Sequence, residues 1–292
     1  MTVPAVSVLV PAFNEENAIE ETITKLNSAL GELESFELLV IEDGSEDGTL
    51  AKLKSLQPLF PALRVVEHDR NRGYGAALKT GMRHAHSELI AIIDADGTYP
   101  IADLPKLVRM AADYDMVVGA RTGENVQYPL IRKIPKYFLR RWINWIVKTN
   151  VPDINSGMRV FRKAMGQRFV RILPDGFSFT ITITISSIRN NYRVLFEPID
   201  YFERKGKSKI RPIHDTLRFL QIICRTGMYF APIRILLPVV VVLAVLALGS
   251  LGYDIVVLDN LTDKTVLLFS TLLNVSIFTL LADMIDKRSG ST

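Results

Sequence analysis

Five apolar runs, at residues 6–10, 37–41, 64–67, 89–93 and 116–118, are separated by helical segments and each ends in a cluster of polar residues. Most of these runs are continuous rather than alternating. Continuous apolar strands belong to sheets buried on both faces, so a β-α-β-α-β order implies a doubly wound, mostly parallel α/β sheet. The intervening helices are expected to start near Asn17, Thr49, Gly75 and Ile101. In such a sheet the ligand crevice lies beyond the carboxyl ends of the strands. The five polar clusters therefore read as one shared site: Pro11-Ala-Phe-Asn-Glu15, Glu42-Asp43-Gly44-Ser45, the stretch from His68 to Gly75, Asp94-Ala95-Asp96, and Gly119-Ala-Arg121.

The fourth cluster carries the most specific chemistry. Two carboxylates one residue apart at a strand end can hold a hard divalent cation, Mg²⁺ or Mn²⁺, together with a diphosphate that the cation carries. Asp96 is the expected metal ligand, and Asp94 its neighbour toward ribose or metal. Asp43 follows a strand within a turn-forming sequence, where its carboxylate can accept hydrogen bonds from a ribose or a base edge.

The rest of the chain departs from a soluble composition. Apolar residues make up 48% of the sequence, a high share whose cause is local. The stretch 235–253 is uncharged and long enough, as a helix, to cross a hydrocarbon core; 265–282 is a second such run, interrupted by Asn274 and hydroxyl residues. Two crossings are expected. Arg218, Arg225 and Arg234 precede the first and Lys287 and Arg288 follow the second, which places both termini in the cytoplasm. His214, Arg218, Gln221 and Arg225 form one polar stripe on an otherwise apolar segment, as expected of a helix in the headgroup plane among membrane lipids. A second basic amphipathic helix is expected over 129–149. The resulting divisions are a cytoplasmic domain at 1–210, an interface helix at 211–232 and a two-helix membrane region at 233–292. The single cysteine excludes an internal disulfide, and a net charge of +4 gathered near the membrane is explained by anionic lipid rather than by nucleic acid. Two spans with no targeting segment suit a prokaryotic plasma membrane.

In order along the chain, PAFNEEN (11–17), EDGSEDGT (42–49), NRGYGAALKTG (71–81), DADGTYP (94–100), GAR (119–121), DINSGMRVFRK (153–163) and YFERKGKSKI (201–210) resemble the motifs of the family-2 glycosyltransferases of GT-A fold. Among these the polyprenyl-phosphate glycosyltransferases, such as dolichyl-phosphate mannose synthases, are the most similar. The resemblance implies inverting transfer of a sugar from a nucleotide-diphosphate sugar to polyprenyl or dolichyl phosphate. It implies that Pro11, Phe13, Glu15, Ile41 and Asp43 form the nucleoside pocket, with Asp94, Ala95 and Thr98 beside it. Asp96 and its metal would hold the diphosphate, Arg121 and Arg204 would stabilise the departing charge, and Arg159 and Lys209 are further cations. Ser156 and Gly157 would bring a hydroxyl and amides to the acceptor phosphate.

One departure from the family pattern bears on the acceptor. Inverting relatives that use a hydroxyl acceptor place an acidic base after the metal motif, whereas the corresponding stretch here, GFSFTITITI, offers only hydroxyls. A phosphate acceptor is already an anion near neutral pH and can attack without a base. Asp153 remains available as a base for a hydroxyl acceptor, and a non-catalytic membrane subunit of this fold is a third reading. The Thr-Ile alternation over 180–185 favours a strand by propensity, against the helix that the family implies. Thr98 stands where mannose synthases commonly carry Gln, which leaves sugar and base preference open.

Overall fold

The computed structural model describes residues 6–123, 141–145, 147–176, 178–202, 227–229 and 231–290. The chain separates into two compact units, Met1–Ile210 and Arg211–Thr292.

The first unit is built on seven strands: β1 (Val6–Ala12), β2 (Phe36–Glu42), β3 (Leu63–Glu67), β4 (Leu89–Ile92), β5 (Met116–Ala120), β6 (Arg159–Arg162) and β7 (Val194–Pro198). They form one sheet in the order β3-β2-β1-β4-β6-β5-β7. The five expected strands are present, and β6 and β7 are additional. Every pairing is parallel except those of β6, which runs antiparallel to both β4 and β5.

Apolar side chains on both faces of the sheet explain the continuous runs. On one face Val6, Val8 and Val10 of β1 pack with α1 (Ile19–Leu30), α2 (Thr49–Leu56) and α4 (Leu104–Met110). On the other, Leu9 packs with α3 (Tyr74–His84), α5 (Lys163–Phe169) and α6 (Phe179–Arg189). Three of the four expected helix starts fall within two residues of the observed ones, a normal boundary scatter, and the fourth, Ile101, opens a 3-10 turn, Ile101–Asp103, that leads into α4.

Two features of this topology position the site. The chain departs from β1 to β2 and β3 on one side and returns to β4 on the other, making a crevice at the carboxyl ends of β1 and β4. Their register, Leu9 opposite Ile92, brings Pro11 level with Asp94 when extended by two residues. Because β6 is antiparallel, its amino end lies where its neighbours' carboxyl ends lie, with Arg159 opposite Ile92 and Val118. The turn preceding β6 thus reaches the same crevice.

The Thr-Ile stretch is helical. Residues 179–187 of α6 are all buried, and Thr184 and Ser187 donate to the carbonyls of Thr180 and Ile183, each at 2.8 Å. A hydroxyl satisfied four residues back can be enclosed within a helix, so local strand propensity loses to tertiary surroundings.

In the second unit α7 (Pro232–Tyr253) continues through a π-helical turn, Asp254–Leu258, and is followed by α8 (Asp263–Gly290). The segments Pro232–Leu258 and Asp263–Ile285 are long and apolar enough to cross a membrane. Asp254 closes the connection by accepting from the Thr262 amide at 2.8 Å and its hydroxyl at 2.7 Å. Of the interface helix expected at 211–232, residues 211–226 and 230 lie outside the described residues. So do residues 129–140 and 146 of the basic helix expected at 129–149; its residues 141–145 are helical.

Candidate active site

The crevice is a cleft of about 470 Å³ lined from all the strand ends named above. Pro11, Ala12, Phe13 and Glu15 form the wall beyond β1, with the Phe13 ring 38% exposed at the surface. The Glu15 amide donates to the Thr49 hydroxyl at 2.9 Å, tying this wall to α2. Ile41 is a correction to the expected pocket: it is fully buried in the sheet's core and does not line the cleft. Its place in β2 puts it one residue before the strand end, on the face turned toward α3.

Asp43 lines the cleft but is only 3% exposed. Its Oδ1 accepts from the Arg72 amide at 2.9 Å and faces His68 Nδ1 at 2.6 Å, while Oδ2 accepts from the Gly73 amide at 2.8 Å. Much of its hydrogen-bonding capacity therefore organises the loop leading to α3. That loop contributes Asn71, Gly73 and Tyr74 to the cleft. Gly73 adopts φ +97°, and a Cβ there would stand 2.7 Å from the Asp175 carbonyl oxygen.

Asp94, Ala95 and Asp96 line the cleft together. Ala95 offers its carbonyl to the Thr22 hydroxyl at 2.9 Å, which fastens the motif to α1. Thr98 is a positioning residue: it is buried, lies outside the cleft lining, and donates its hydroxyl to Asp96 Oδ1 at 2.7 Å. Tyr74 donates to Asp94 Oδ1 at 3.0 Å. Burial at the cleft floor, reinforced by the charge of Asp96, raises the Asp94 pKa to about 6.

These two carboxylates fit a Mg²⁺ or Mn²⁺ ion that a nucleotide brings with it. Among the described residues no group of three or more carboxylates, histidines or cysteines forms a self-sufficient metal cage. Such ions accept one or two carboxylates when substrate phosphates and water complete the shell. A group that must ionise to take metal links affinity to pH. With Asp94 titrating at about 6, Mn²⁺ binding in the presence of nucleotide is expected to weaken about tenfold between about pH 7 and about pH 5, measured by calorimetry at the two values. Without metal the sign for stability is opposite: the folded state retains this proton where the unfolded aspartate has lost it, so the contribution falls as pH rises from about 4 through about 6.

Arg121, at the end of β5, grips Asp153. Its Nε and Nη2 reach the two carboxylate oxygens at 2.7 and 2.9 Å, and its amide adds a third bond at 3.0 Å. The guanidinium also lies 5.1 Å from the centre of the Tyr201 ring. Burial opposes ionisation of Asp153, but hydrogen bonds and charge from Arg121, with the Asn155 amide, hold its carboxyl below the ordinary aspartate range. A carboxylate so paired is a weaker proton acceptor than a free one, which counts against Asp153 as the base considered for a hydroxyl acceptor.

The turn before β6 also differs from expectation. Ser156 is fully buried, its hydroxyl 3.5 Å from the Met158 carbonyl, and it does not line the cleft; its role as an acceptor-phosphate ligand is corrected. Its neighbours Asn155 and Gly157 do line the cleft. The Gly157 amide donates to the Tyr99 hydroxyl at 2.6 Å, and a Cβ on Gly157 would stand 2.5 Å from Asp94 Oδ2. Arg159 is fully buried beneath this turn, donating to the Thr180 carbonyl and the Thr184 hydroxyl at 3.1 Å each and to the Ser156 carbonyl. Its Nε has no hydrogen-bond partner among the described residues. Arg159 thus joins the turn to α6 and is no surface charge. Arg204 and Lys209 lie outside the described residues.

Asn71 and Tyr74 come from the 68–75 cluster, while Ala77, Tyr99, Asn155, Thr180 and Tyr201 complete the lining and were not singled out from sequence. Ala77, Tyr99, Asn155 and Tyr201 lie inside the matched motifs, the available signal for them. Asn155 sits one residue from the serine that was selected.

Comparisons with known proteins agree with this architecture. Residues 7–171 match the model of Glycosyl transferase family 2. An undecaprenyl-phosphate mannosyltransferase of Micrococcus luteus is 27% identical over 69% of this chain and 86% of its own length. A dodecaprenyl-phosphate galacturonate synthase of Rhizobium johnstonii is 28% identical over 87% of this chain and 78% of its own. For the low-salt glycan biosynthesis hexosyltransferase Agl6 of Haloferax volcanii, 28% identical over 75% of this chain, the match spans about half, 52%, of the relative. Among solved structures, glucosyl-3-phosphoglycerate synthase of Mycobacterium tuberculosis in complex with Mn²⁺, uridine diphosphate and phosphoglyceric acid superposes with a TM-score of 0.57 at 19% identity, over 77% of this chain and 78% of the other, a likeness of fold. With the family model covering more than half of the chain, and a mostly parallel sheet presenting Asp94-Ala95-Asp96 at its switch point, the chain belongs to glycosyl transferase family 2.

Proposed function

We propose that this enzyme transfers a single sugar, with inversion, from a nucleotide-diphosphate sugar to the phosphate of a polyprenyl lipid at the cytoplasmic face of the membrane. The observation that carries the reading is the state of the carboxylates. Asp153 is committed to Arg121, and the first turn of α6, where a base for a hydroxyl acceptor is sought, contains no acid. A phosphate acceptor needs no base, because its oxygen is ionised near neutral pH.

In the proposed reaction an acceptor phosphate oxygen forms the new bond to the anomeric carbon from the face opposite the donor diphosphate. The bond to the diphosphate breaks, and its electron pair leaves as nucleoside diphosphate. Asp94 and Asp96 would hold a divalent cation, which supplies charge neutralisation for the departing diphosphate. Arg121, fixed by Asp153 and Tyr201, adds a permanent positive charge beside it, with Arg204 and Lys209 as further cations. Alignment of the two reactants accounts for the remaining acceleration. The two apolar helices would anchor the chain in the bilayer that holds a long lipid acceptor, and the basic residues flanking them favour a cytoplasmic catalytic unit. The relatives named for undecaprenyl- and dodecaprenyl-phosphate substrates support the acceptor class.

The test uses the full chain in lipid nanodiscs with Mg²⁺ or Mn²⁺, a panel of radiolabelled nucleotide sugars, and either undecaprenyl phosphate, dolichyl phosphate or undecaprenol. Label extracted into organic solvent with a phosphate lipid, and absent with the alcohol, is the expected result. Transfer to undecaprenol instead would establish a hydroxyl acceptor. Nucleotide binding without transfer to any of the three would favour a non-catalytic subunit.

A further inference from the structure

His68 is a buried imidazole that no part of the proposed reaction uses. Its ring lies between two side chains, with Nδ1 2.6 Å from Asp43 Oδ1 and Nε2 3.0 Å from Thr80 Oγ1. The same Thr80 oxygen accepts from Arg83 Nη2 at 3.0 Å. The His68 backbone is pinned as well, its amide donating to the Glu42 carbonyl at 2.8 Å. Enclosing an imidazole and a carboxylate together is costly unless each polar atom is matched, and here the match is close to complete.

The network reaches the cleft through Asp43. The carboxylate that faces His68 also receives the Arg72 and Gly73 amides, and so holds the loop that presents Asn71, Gly73 and Tyr74. This loop is packed hard on the turn after β2: Gly44 adopts φ +69°, and a Cβ there would stand 2.4 Å from the Arg70 carbonyl carbon. A rotation of the Asp43 carboxylate would release two backbone donors in a loop with no slack.

We propose that His68 is a positioning residue for the donor nucleotide: its Nδ1–H fixes the Asp43 carboxylate, and through it the 68–73 loop that forms the nucleoside end of the cleft. A carboxylate only accepts, so the proton between it and His68 belongs to Nδ1. Nε2 faces the Thr80 hydroxyl, which can donate to it while the same oxygen accepts from Arg83. With that donation the chain Arg83 to Thr80 to His68 to Asp43 runs in one direction. The inference rests on the donor reading of this cleft and adds a residue that does not itself line it.

The experiment compares His68→Asn with His68→Gln in the full chain, since the Asn amide can stand in for Nδ1–H toward Asp43, whereas the Gln amide stands in for Nε2. UDP and GDP binding with Mg²⁺ is measured by calorimetry, alongside donor KM and kcat. Gln is expected to weaken nucleotide binding about tenfold to a hundredfold, the usual cost of losing a hydrogen bond to a charged group, and Asn to recover most of it. The loss should fall on KM more than on kcat. Equal affinity for wild type and His68→Gln, or equal losses in Asn and Gln, would overturn the proposal. Wild-type protein that binds neither nucleotide would instead defeat the donor reading. Nitrogen-15 spectra of histidine-labelled wild type, with the His68 signals identified by their loss in His68→Gln, test the relay without activity. A proton on Nδ1 is expected; a ring protonated at Nε2 alone would overturn it.

Discussion

Asp96→Asn is expected to slow sugar transfer by about a thousandfold or more while leaving the fold intact, because a cation that stabilises a leaving diphosphate contributes several kcal/mol to the transition state. The substitution keeps the shape of the side chain and its bond from the Thr98 hydroxyl, and removes the charge that a hard cation requires. The signature is therefore a fall in kcat at saturating donor together with weakened Mn²⁺ binding in the presence of nucleotide. Asp94→Asn should be less severe for the fold than its depth suggests. Its ionised form already sits unfavourably near Asp96, and Tyr74 can donate to the replacement amide oxygen. Unchanged turnover in Asp96→Asn would remove the metal from the mechanism.

Arg121 carries the second large effect, and two consequences should separate. Arg121→Ala removes a fixed positive charge from the lining of the cleft among the described residues, for which a loss of about a hundredfold to a thousandfold in kcat is expected. It also strands Asp153, whose side chain is 12% exposed, at an expected cost of about 3–5 kcal/mol in stability. Pairing it with Asp153→Asn should restore much of the thermal stability, since the stranded charge is gone, but none of the lost turnover. Arg121→Lys should fall between wild type and Ala, because an ammonium cannot reproduce the two-pronged grip on Asp153. Recovery of activity in the double variant would mean that Arg121 serves only to neutralise Asp153.

Much of this catalytic unit was legible beforehand. Strands buried on both faces read as unbroken apolar runs, and such strands must alternate with helices, so β1 to β5 and their order followed from pattern alone. The position of Asp94 and Asp96 at a strand end was visible for the same reason. By contrast β6, four residues of RVFR, carries no period of its own and is a strand because β4 and β5 pair with it from both sides. Ile41 and Ser156 do not line the cleft for a related reason: Ile41 lies two positions before Asp43 and Ser156 lies between Asn155 and Gly157, all three of which do line it, and which residue of a strand end or turn faces the cleft depends on pleat and turn.

What the sequence determined by itself was the class of sheet, the end of it where the polar clusters gather, the pairing of Asp94 with Asp96 at a strand end, and two helices long enough to cross a bilayer. These depend on residue type and short-range spacing, which any local window contains. Only the tertiary structure decided that Asp153 belongs to Arg121, that Arg159 lies buried beneath the turn before β6, and that His68 reaches Asp43. Those partners are separated by tens of residues in the chain. A buried charge or imidazole is satisfied by whichever group the folded backbone brings within about 3 Å, a choice made by strand direction and packing rather than by the residue's own neighbours.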